Sequence, residues 1–524
     1  IIPMPSLTDL TQHSDAMAAF SKDRLWELFD GDRNHLNIAH ECVDRHPTDR
    51  IAVRIAHADG RDETLTFGDL KMWSNRFANY LRTTRIAPGQ TIGIMLEPST
   101  LFYAVLFGAM KAGCTAVPLF TLFGPDGLKL RLDDCDPALF LAAPEHAHLA
   151  EPKPGRKIVT TNDEFHAALE RESDTFTPLT LASDMAMYQY TSGTTRLLPD
   201  AIKHRHRAVV TVMIAALYGT GIRPGDRFMC PSSPAWGHGL WHGTLAPLAL
   251  GVTTATYAGK FDAGRLTQAL SDYRITNLSA AATHYRMMRM DTLAAAQINI
   301  SIPKLTFTGE PIDSDTASWA ADTFGSPVCS MYGTTEVGVI LVNYPGASDF
   351  EARPGSLGKP VPDQRVEIHD STGLICPPGQ RGEIMLWRKD EWFPTKDLGY
   401  TDEDGYFYHA GRADDVIISA GWTMSAVEIE DILLKHPDVR EAAVIGEPDE
   451  GRGQVPMAFI VSDRLGDSDF TTELQKIAQT RLSRHEYPRL IEYINELPKL
   501  PAGKINRKAL RERNRTNIDQ GESA

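Results

Sequence analysis

The chain has 524 residues, of which 42% are hydrophobic and 23% are charged. This composition is that of a folded globular protein large enough for more than one domain. The net charge of −15 argues against sequence-independent binding to nucleic acid, which needs a basic surface, although a locally positive site for a small anion remains compatible with it.

The cysteine pattern indicates the compartment. The six cysteines are scattered and form no C-x-x-C pair, which predicts reduced, packed thiols in a cytoplasmic protein rather than a disulfide framework or a zinc site. The first fifteen residues lack a basic region followed by an apolar run, so we expect no signal peptide. No run of 18 apolar residues occurs, so we expect no membrane span and no membrane partner.

Helical and strand-like patterns alternate from residue 66 onward. The first helical spacing is carried by Leu70, Trp73, Phe77 and Leu81. Two strand-like runs, residues 91–96 and 116–119, flank a mostly apolar helix at residues 101–111. This alternation predicts an α/β fold in which helices cover the faces of a sheet.

A hydroxyl-rich loop follows the strand-like residues 187–190. Four hydroxyl side chains surround one glycine there, and such a loop can wrap phosphate oxygens because glycine lets the backbone come close. The loop does not fit the G-x-x-x-x-G-K-[ST] pattern, and a polar surface loop is the alternative interpretation. The candidate residues are Thr191, Ser192, Gly193, Thr194 and Thr195.

A second polar segment, residues 331–336, follows the strand-like residues 327–330. Glu336 is therefore expected near a strand end, where α/β sheets bind ligands. A carboxylate beside phosphate-binding hydroxyls is a suitable ligand for Mg²⁺, although an isolated glutamate in a loop is usually only solvated. The neighbouring candidates are Tyr332, Gly333, Thr334 and Thr335.

Three charged residues in the last third of the chain complete the candidate set. Asp397 could accept both hydroxyls of a ribose, and Arg412 could donate to ribose or phosphate. Lys504 lies in a Pro/Gly loop near the end of the sequence, where a lysine is normally solvated. The pattern also changes near residue 411: Ser425 and Glu428 predict a capping box, and a compact α+β unit of about a hundred residues follows.

The segments TSGTT, YGTTE, DLGY, GRADD and PAGK, in this order, resemble the superfamily of adenylate-forming enzymes. That superfamily includes acyl-CoA synthetases, peptide-synthetase adenylation domains and firefly luciferase. The resemblance covers nearly the whole chain. It implies a large N-terminal domain of helix-flanked sheets, residues 1–411, and a small mobile α+β domain, residues 412–524.

The resemblance also implies roles for individual residues. Residues 191–195 would hold the ATP phosphates, and Thr191, Glu336 and Lys504 would be catalytic, with Glu336 on Mg²⁺. The remaining implied roles are Gly309, Glu310 and Pro311 beside adenine, Tyr332 to Thr335 around the nucleotide, Asp397 and Arg412 on ribose, Asp414 at the hinge, and Gly421 at the tunnel for the pantetheine arm of coenzyme A.

A glycine- and tryptophan-rich stretch, residues 234–243, bears on the acyl substrate. It resembles a segment of the medium-chain and benzoate-type acyl-CoA synthetases, and two large rings among glycines can close a pocket around an apolar acyl group. An ordinary helix start with core tryptophans is an equally good interpretation. The candidate pocket residues are Trp236, Gly237, His238, Trp241 and Gly338.

The chain departs from the family pattern at three positions. After TSGTT the family usually continues with Gly-x-Pro-Lys-Gly, whereas this chain has Arg196 in place of the first glycine and Asp200 in place of the lysine, if Pro199 is the anchor. Either Arg196 supplies the missing positive charge or the loop works less well. Lys396 stands where the family usually has glycine, beside Asp397.

These observations predict an ATP-dependent acid–thiol ligase that forms an acyl-adenylate and then a coenzyme A thioester, with ATP, Mg²⁺ and coenzyme A as its cofactors. We expect the acid to be small or medium-sized and apolar or aromatic. One alternative is an enzyme that loads a carrier-protein thiol. The other is a non-catalytic ligase-like binding protein, which Asp200 and Arg196 would favour.

Overall fold

The computed structural model describes residues 4–190, 201–334, 336–413, 415–419, 422–482, 486–500 and 504–521. Fifteen α-helices lie within this described part. They are α1 (His13–Ala19), α2 (Lys22–Leu25), α3 (Phe67–Thr83), α4 (Thr100–Lys111), α5 (Pro125–Cys135), α6 (Asp163–Glu170), α7 (Ala208–Ile214), α8 (Ala246–Ala249), α9 (Ala263–Asp272), α10 (Ala282–Met290), α11 (Thr292–Gln297), α12 (Ser314–Phe324), α13 (Ala426–Leu433), α14 (Ser468–Arg481) and α15 (Arg507–Gly521).

Twenty-four strands accompany these helices in the described part. They are β1 (Ile51–His57), β2 (Asp62–Thr66), β3 (Thr91–Met95), β4 (Thr115–Pro118), β5 (Leu139–Ala142), β6 (Lys157–Thr160), β7 (Met185–Gln189), β8 (Ile202–Arg205), β9 (Arg227–Met229), β10 (Thr253–Ala258), β11 (Asn277–Ala281), β12 (Lys304–Thr308), β13 (Val328–Thr334), β14 (Gly338–Val342), β15 (Lys359–Pro360), β16 (Val366–His369), β17 (Gly382–Arg388), β18 (Glu391–Thr401), β19 (Phe407–Arg412), β20 (Val416–Ser419), β21 (Trp422–Ser425), β22 (Glu441–Asp449), β23 (Gly453–Val461) and β24 (Leu490–Tyr493).

The chain forms two compact units, which we call the large unit and the small unit. The large unit comprises Ile1–Thr308, Trp319–Ala352 and Val361–Asp363. The small unit comprises Gly309–Ser318, Arg353–Pro360 and Gln364–Ala524. The mixed α/β architecture with a large N-terminal and a small C-terminal part is confirmed, whereas the boundary at residues 411–412 stays a prediction.

Two mostly parallel sheets organise the large unit. One has the strand order β6-β5-β3-β4-β7-β8, in which only the β7–β8 edge pair is antiparallel. The other contains β14-β13-β12-β11-β9-β10-β1-β2, with antiparallel pairs at its two ends. Parallel strands align their carboxyl ends at one edge of a sheet, so the loops that follow them gather there.

The predicted helix–strand alternation is confirmed between residues 66 and 118. Helix α3 begins where Thr66 accepts a hydrogen bond from the Asp69 N–H and Asp69 reciprocates, which is a capping box. Leu70, Phe77 and Leu81 are buried on its inner face. Helix α4 is buried almost throughout its length because it lies under both α3 and the sheet.

The small unit holds two sheets. Strands β16-β17-β18-β19 form an antiparallel sheet, and β21-β20-β23-β22 form a second one in which β24 pairs in parallel with β23. Ser425 caps α13 by accepting from the Glu428 N–H, but the Glu428 side chain pairs with Arg381 at 2.7 Å. The predicted capping box is therefore only half formed.

Among the described residues, no helix is both long enough and apolar enough to span a membrane. All six cysteines are buried and carry free thiols. The thiols pack inside the protein and none of them forms a disulfide.

Candidate active site

The small unit brings together Asp397 and Arg412, as their predicted shared role requires. Asp397 lies in β18 and Arg412 at the end of β19, and the two are register partners. The Asp397 Oδ1 atom is 3.8 Å from an Arg412 guanidinium nitrogen and 3.2 Å from His409 Nε2. The Asp397 side chain is almost fully buried, while Arg412 is nearly half exposed. A carboxylate held in this way presents its oxygens in a fixed direction.

Lys396 shows why the family usually has glycine at this position. Its φ angle is +63°, in the left-handed region that disfavours residues with a Cβ. The β18–β19 register shifts between Asp397 and Gly399, so the chain turns out of regular pairing beside the predicted ribose residue. The Lys396 N–H donates to Glu383 Oε1 at 3.0 Å, which helps to hold this conformation.

We expect the substitution Lys396→Gly to stabilise the protein by about 1 kcal/mol, because glycine adopts the left-handed conformation without the Cβ penalty. The measurement is the midpoint of denaturant unfolding for the variant and the parent chain. Lys389→Gly, at a φ of +50°, is a matched control that lies away from Asp397. A loss of stability in Lys396→Gly would show that contacts of the lysine side chain stabilise the fold by more than the left-handed backbone conformation destabilises it.

Lys504 lies beside the predicted adenine residues within the small unit. Gly309 has a φ of +100°, and a Cβ placed on it would be 3.7 Å from the Lys504 Cε. The Leu500 N–H donates to the Lys504 carbonyl at 2.7 Å, which helps to fix the lysine backbone. The spacing brings the ammonium group into electrostatic range of Glu310, Asp397 and Arg412.

The surroundings of Lys504 affect its charge. Part of the residue remains exposed, yet desolvation by the packed atoms around the ammonium group lowers the pKa of Lys504. Arg412 acts in the same direction, whereas Glu310 and Asp397 raise that pKa. A cation with two carboxylates in reach is suited to move onto an incoming phosphate, because the phosphate can replace them as its partner.

In the large unit, the segment after Met331 continues as strand instead of becoming a loop. Strand β13 runs to Thr334, and Glu336 lies on the exposed turn before β14. Gly338 opens β14 with a φ of +74° and pairs with Thr334. A Cβ on Gly333 would lie 1.9 Å from the Gly338 carbonyl oxygen, so the hairpin needs glycine there. Tyr332 is half-buried in the same strand.

The donor set fits a magnesium ion bound jointly with phosphates. The described residues contain no group of three or more His, Cys, Asp and Glu side chains placed to hold a metal by themselves. Mg²⁺ commonly uses one or two carboxylates together with substrate phosphates and water. The exposed carboxylate of Glu336 meets that requirement, whereas a closed protein site would not.

Several predicted site residues lie outside the described residues. They are Thr191, Ser192, Gly193, Thr194 and Thr195 of the phosphate loop, Arg196 and Asp200 after it, Thr335, Asp414 and Gly421. Their roles stay predictions. The strands that enter and leave residues 191–200, β7 and β8, form an antiparallel pair at the edge of a sheet, which is the strand end where the loop was expected.

The glycine- and tryptophan-rich stretch forms a turn followed by a π-helical segment, His238–Leu245. Trp241 is buried, and its indole N–H donates to Gln189 Oε1 at 3.1 Å. Trp236 is half-buried against Phe120, with ring centroids 5.4 Å apart. A Cβ on Gly237 would lie 2.6 Å from the Gln189 amide nitrogen. The stretch is thus packed onto the end of β7.

His238 is held between two hydroxyl groups. Its Nδ1 lies 2.9 Å from Ser232 Oγ, and its Nε2 lies 2.8 Å from Ser279 Oγ. Burial lowers the pKa of His238 well below its usual range, and the nearby His242 acts in the same direction. The ring is therefore neutral at physiological pH and is placed to form hydrogen bonds with both hydroxyl groups.

His242 makes the large unit sensitive to acid. Burial lowers its pKa to about 4, and its Nδ1 has no hydrogen-bond partner in the described part of the chain. Because the folded pKa lies below the unfolded value near 6.5, the unfolded chain binds more protons as the pH falls between these values. The stability associated with neutral His242 is complete above about pH 6.5 and is lost as the pH falls toward 4.

We expect His242→Phe to reduce this acid sensitivity by about 2 kcal/mol between pH 6.5 and pH 5, at about 1.4 kcal/mol for each pH unit. The measurement is the free energy of unfolding at both pH values for the variant and the parent. His166→Phe provides the control, because this histidine lies on a more exposed helix face. An equal pH dependence in parent and His242→Phe would contradict the interpretation.

Sequence reasoning missed the residues that hold the predicted ones in place. Gln189 orients Trp241, Ser232 and Ser279 hold His238, and His409 contacts Asp397. Ser232 belongs to a short polar run after β9, and His409 stands three residues before Arg412, so both were visible signals. Ser279 and Gln189 are separated from their partners by about forty to fifty residues, and only the folded chain relates them.

The chain resembles known proteins over most of its length. The profile of AMP-binding enzymes matches residues 39–390, and that of their C-terminal domain matches residues 428–504. The acetyl-coenzyme A synthetase of Bacillus subtilis (strain 168) is 30% identical over 91% of this chain and 90% of its own length. The 3-hydroxybenzoate–CoA ligase of Aromatoleum sp. (strain CIB) is 29% identical over 86% and 92%, respectively.

A solved structure agrees with these relatives. The benzoate CoA ligase of Burkholderia xenovorans LB400 superposes with a TM-score of 0.77 at 25% identity, over 91% of this chain and 99% of that one. The chain belongs to the family of AMP-binding enzymes and is an AMP-forming acid–CoA ligase. Acyl-CoA synthetases of this family use ATP, Mg²⁺ and coenzyme A.

Proposed function

We propose that this ligase activates a small or medium-sized, apolar or aromatic carboxylic acid as its acyl-adenylate and then forms the coenzyme A thioester. The observation that carries the proposal is the grouping of Lys504, Glu310, Asp397 and Arg412 within the small unit. The aromatic relatives and the rings of Trp236 and Trp241 support the choice of acid. The buried free thiols support a reducing, cytoplasmic location.

In the first half-reaction, an oxygen of the substrate carboxylate forms a bond to the α-phosphorus of ATP, and the bond to pyrophosphate breaks. The carboxylate is already ionised, so no general base is needed. Lys504 donates hydrogen bonds to the phosphate oxygens as negative charge develops on them. Asp397 accepts hydrogen bonds from the ribose hydroxyls, and Arg412 fixes the direction of that carboxylate. Glu336 would hold Mg²⁺, which neutralises phosphate charge when it is bound.

In the second half-reaction, the thiol sulfur of coenzyme A forms a bond to the acyl carbon. AMP leaves with the oxygen, and the thiol proton passes to solvent. The same acyl carbon must be reached by a different reactant, so we propose that residues 412–524 reorient between the two steps with Asp414 at the hinge. Gly421 would then border the path of the pantetheine arm.

A panel of carboxylic acids tests this function. Pyrophosphate release should require an acid and Mg²⁺, and product thioester should appear only when coenzyme A is present. The panel should contain acetate, medium-chain and benzoate-type acids, each assayed with coenzyme A and with a carrier-protein thiol. Pyrophosphate release that no acid in the panel stimulates, with ATP binding intact, would contradict the proposal.

The pocket assignment gives a separate prediction. We expect Trp236→Ala to shift kcat/KM toward bulkier acids by about tenfold, because a removed ring enlarges an apolar space. Trp236 is the sharper probe, since Trp241 is also tied to Gln189 and its loss would destabilise the core. Trp387→Ala, in the other unit and partly exposed, is the control. An unchanged order of acids in Trp236→Ala would assign this ring to core packing.

A further inference from the structure

A cavity with a volume of about 560 Å³ in the large unit has a strongly basic wall. Helix α2, the segment after it, strand β8 and the start of helix α7 surround this cavity, which we call the basic cavity. No aspartate or glutamate is among the lining residues that the structure describes. The cationic ones are Lys22, Arg33, Lys203, Arg205 and Arg207.

Among the described residues, four of the five cations of the basic cavity have no carboxylate that neutralises them. Arg33 pairs with Asp23, but within the described ranges Lys22, Lys203, Arg205 and Arg207 form no ion pair with a carboxylate. This gathering of like charges occurs in a chain whose net charge is −15. Lysines and arginines placed together without counter-charges repel one another, so an anion in the cavity would relieve that repulsion.

Local geometry directs several of these groups into one space. Lys203 and Arg205 are alternate residues of β8 and therefore lie on one face of the strand. All five cations are exposed; Arg205 donates to the Ser183 carbonyl and the Lys203 ammonium lies 5.2 Å from the Tyr188 ring centroid, so these two would exchange those contacts for a ligand. Guanidinium and ammonium groups recognise phosphate oxygens, and guanidinium groups do so through two parallel hydrogen bonds. The number of cations suits a ligand with two or more phosphate charges.

The remaining lining suits a small molecule more than a bare ion. Trp26 forms part of the wall, with the Arg33 guanidinium carbon 5.4 Å from its ring centroid. A half-exposed aromatic ring beside an arginine can stack on a flat heterocycle. Leu25 and Ile214 complete an apolar side.

One residue of the basic cavity also contacts the glycine- and tryptophan-rich stretch, residues 234–243. His204 lies in its wall, and the same ring is 4.8 Å from Trp241 and 3.2 Å, at Nε2, from Gln189 Oε1. A ligand in the cavity would therefore rest against the side chains that hold Trp241. Among the residues predicted to bind ATP, those that the structure describes do not line the cavity.

We propose that the basic cavity is a second anion site, which binds a small compound carrying a diphosphate group. Inorganic pyrophosphate and a nucleoside diphosphate share this chemistry, and the aromatic wall distinguishes them. Binding at the basic cavity does not depend on the proposed reaction, because none of the described residues predicted for adenylation is among its lining residues.

Calorimetric titration of the whole chain tests the site. The ATP site is first saturated with a non-hydrolysable ATP analogue and Mg²⁺, and that first titration reports independently on the proposed function. Pyrophosphate or ADP is then added. We expect one further equivalent to bind, with an affinity that falls as the salt concentration rises. Tenfold tighter binding of ADP, lost in Trp26→Leu, would assign the nucleoside form; equal binding of both would assign the inorganic form.

Matched variants make the result specific. The pair Lys203→Met and Arg207→Gln should weaken this second binding at least tenfold. The pair Lys260→Met and Arg82→Gln, also an exposed lysine and arginine of the large unit, should leave it unchanged. Melting temperatures of both double variants verify the fold. The proposal is overturned if neither anion binds beside the ATP analogue, or if the cavity variant, still folded, binds as tightly as the parent.

Discussion

Replacing Lys504 with alanine is expected to lower acyl-adenylate formation by roughly a hundred- to a thousandfold, the usual cost of losing one donor to a developing negative charge. The lysine is a positive group whose charge interacts with the carboxylates of Glu310 and Asp397. The alanine variant should still transfer the acyl group from supplied acyl-adenylate to coenzyme A, because the phosphate chemistry is complete by then.

Two assays separate these outcomes. Exchange between ATP and pyrophosphate measures adenylation, and thioester formation from synthetic acyl-adenylate measures the second step. Lys499→Ala is the matched control: this lysine lies five residues earlier, its backbone bridges to Ile505, and its side chain pairs with Glu441 at 2.7 Å. We expect the control to lose less than threefold in either assay. Equal damage to both half-reactions in Lys504→Ala would contradict the reorientation of the small domain.

The sequence predicted best where the information is local. The spacing of Leu70, Phe77 and Leu81 was sufficient to place α3, because a helix repeats its inner face every three to four residues. The strand-like run was predicted only for residues 327–330, whereas β13 extends to Thr334. Antiparallel pairing with β14, which depends on residues further along the chain, accounts for this extension.

Lys396, which stands where the family usually has glycine, could be identified from the sequence but not explained by it. Comparison with the family motif marked the lysine as unusual, and its effect could not be derived from the motif. The φ of +63° supplies the reason, because glycine is the residue that such a backbone tolerates best. A glycine at this position would relieve the backbone next to Asp397, the predicted ribose residue, whatever charge residue 396 carries.

The sequence could predict only those residues of the candidate site that belong to a recognisable motif. Asp397 and Arg412 belong to separate motifs, and the β18–β19 register makes them neighbours. Their third partner, His409, belongs to neither motif. Residues that hold a catalytic group act through distance and angle, and these depend on the whole fold, so sequence spacing alone cannot reveal them.

The position of Lys504 depends in turn on a buried ion pair. Arg507, three residues after it at the start of α15, donates to both carboxylate oxygens of Glu430 at 2.5 and 2.7 Å. Glu430 also accepts the Val444 N–H at 2.8 Å. Burial raises the pKa of Glu430, and Arg507 opposes that shift. The pair thus ties the lysine-bearing end of the chain to α13 and β22.

We expect Glu430→Ala to destabilise the small unit by about 3–5 kcal/mol, because it leaves the Arg507 charge and the Val444 N–H without their partner in a buried place. Hydrogen exchange of α13 and α15 should rise together, and the denaturant midpoint should fall. Adenylation should decline as well, since the turn that carries Lys504 loses its anchor, while the Lys504 side chain itself is unchanged.

Two further variants show whether the buried pair is the cause. Glu492→Ala removes the partner of Arg513 at 2.7 Å on a more exposed surface, and such a pair contributes under about 1 kcal/mol. The double variant Glu430→Leu with Arg507→Met replaces both charges by apolar groups of similar size. Because it leaves no unpaired charge, it should recover most of the lost stability. If the double variant is as unstable as Glu430→Ala, the geometry of the hydrogen bonds, and not the uncompensated charge, holds α15 in place.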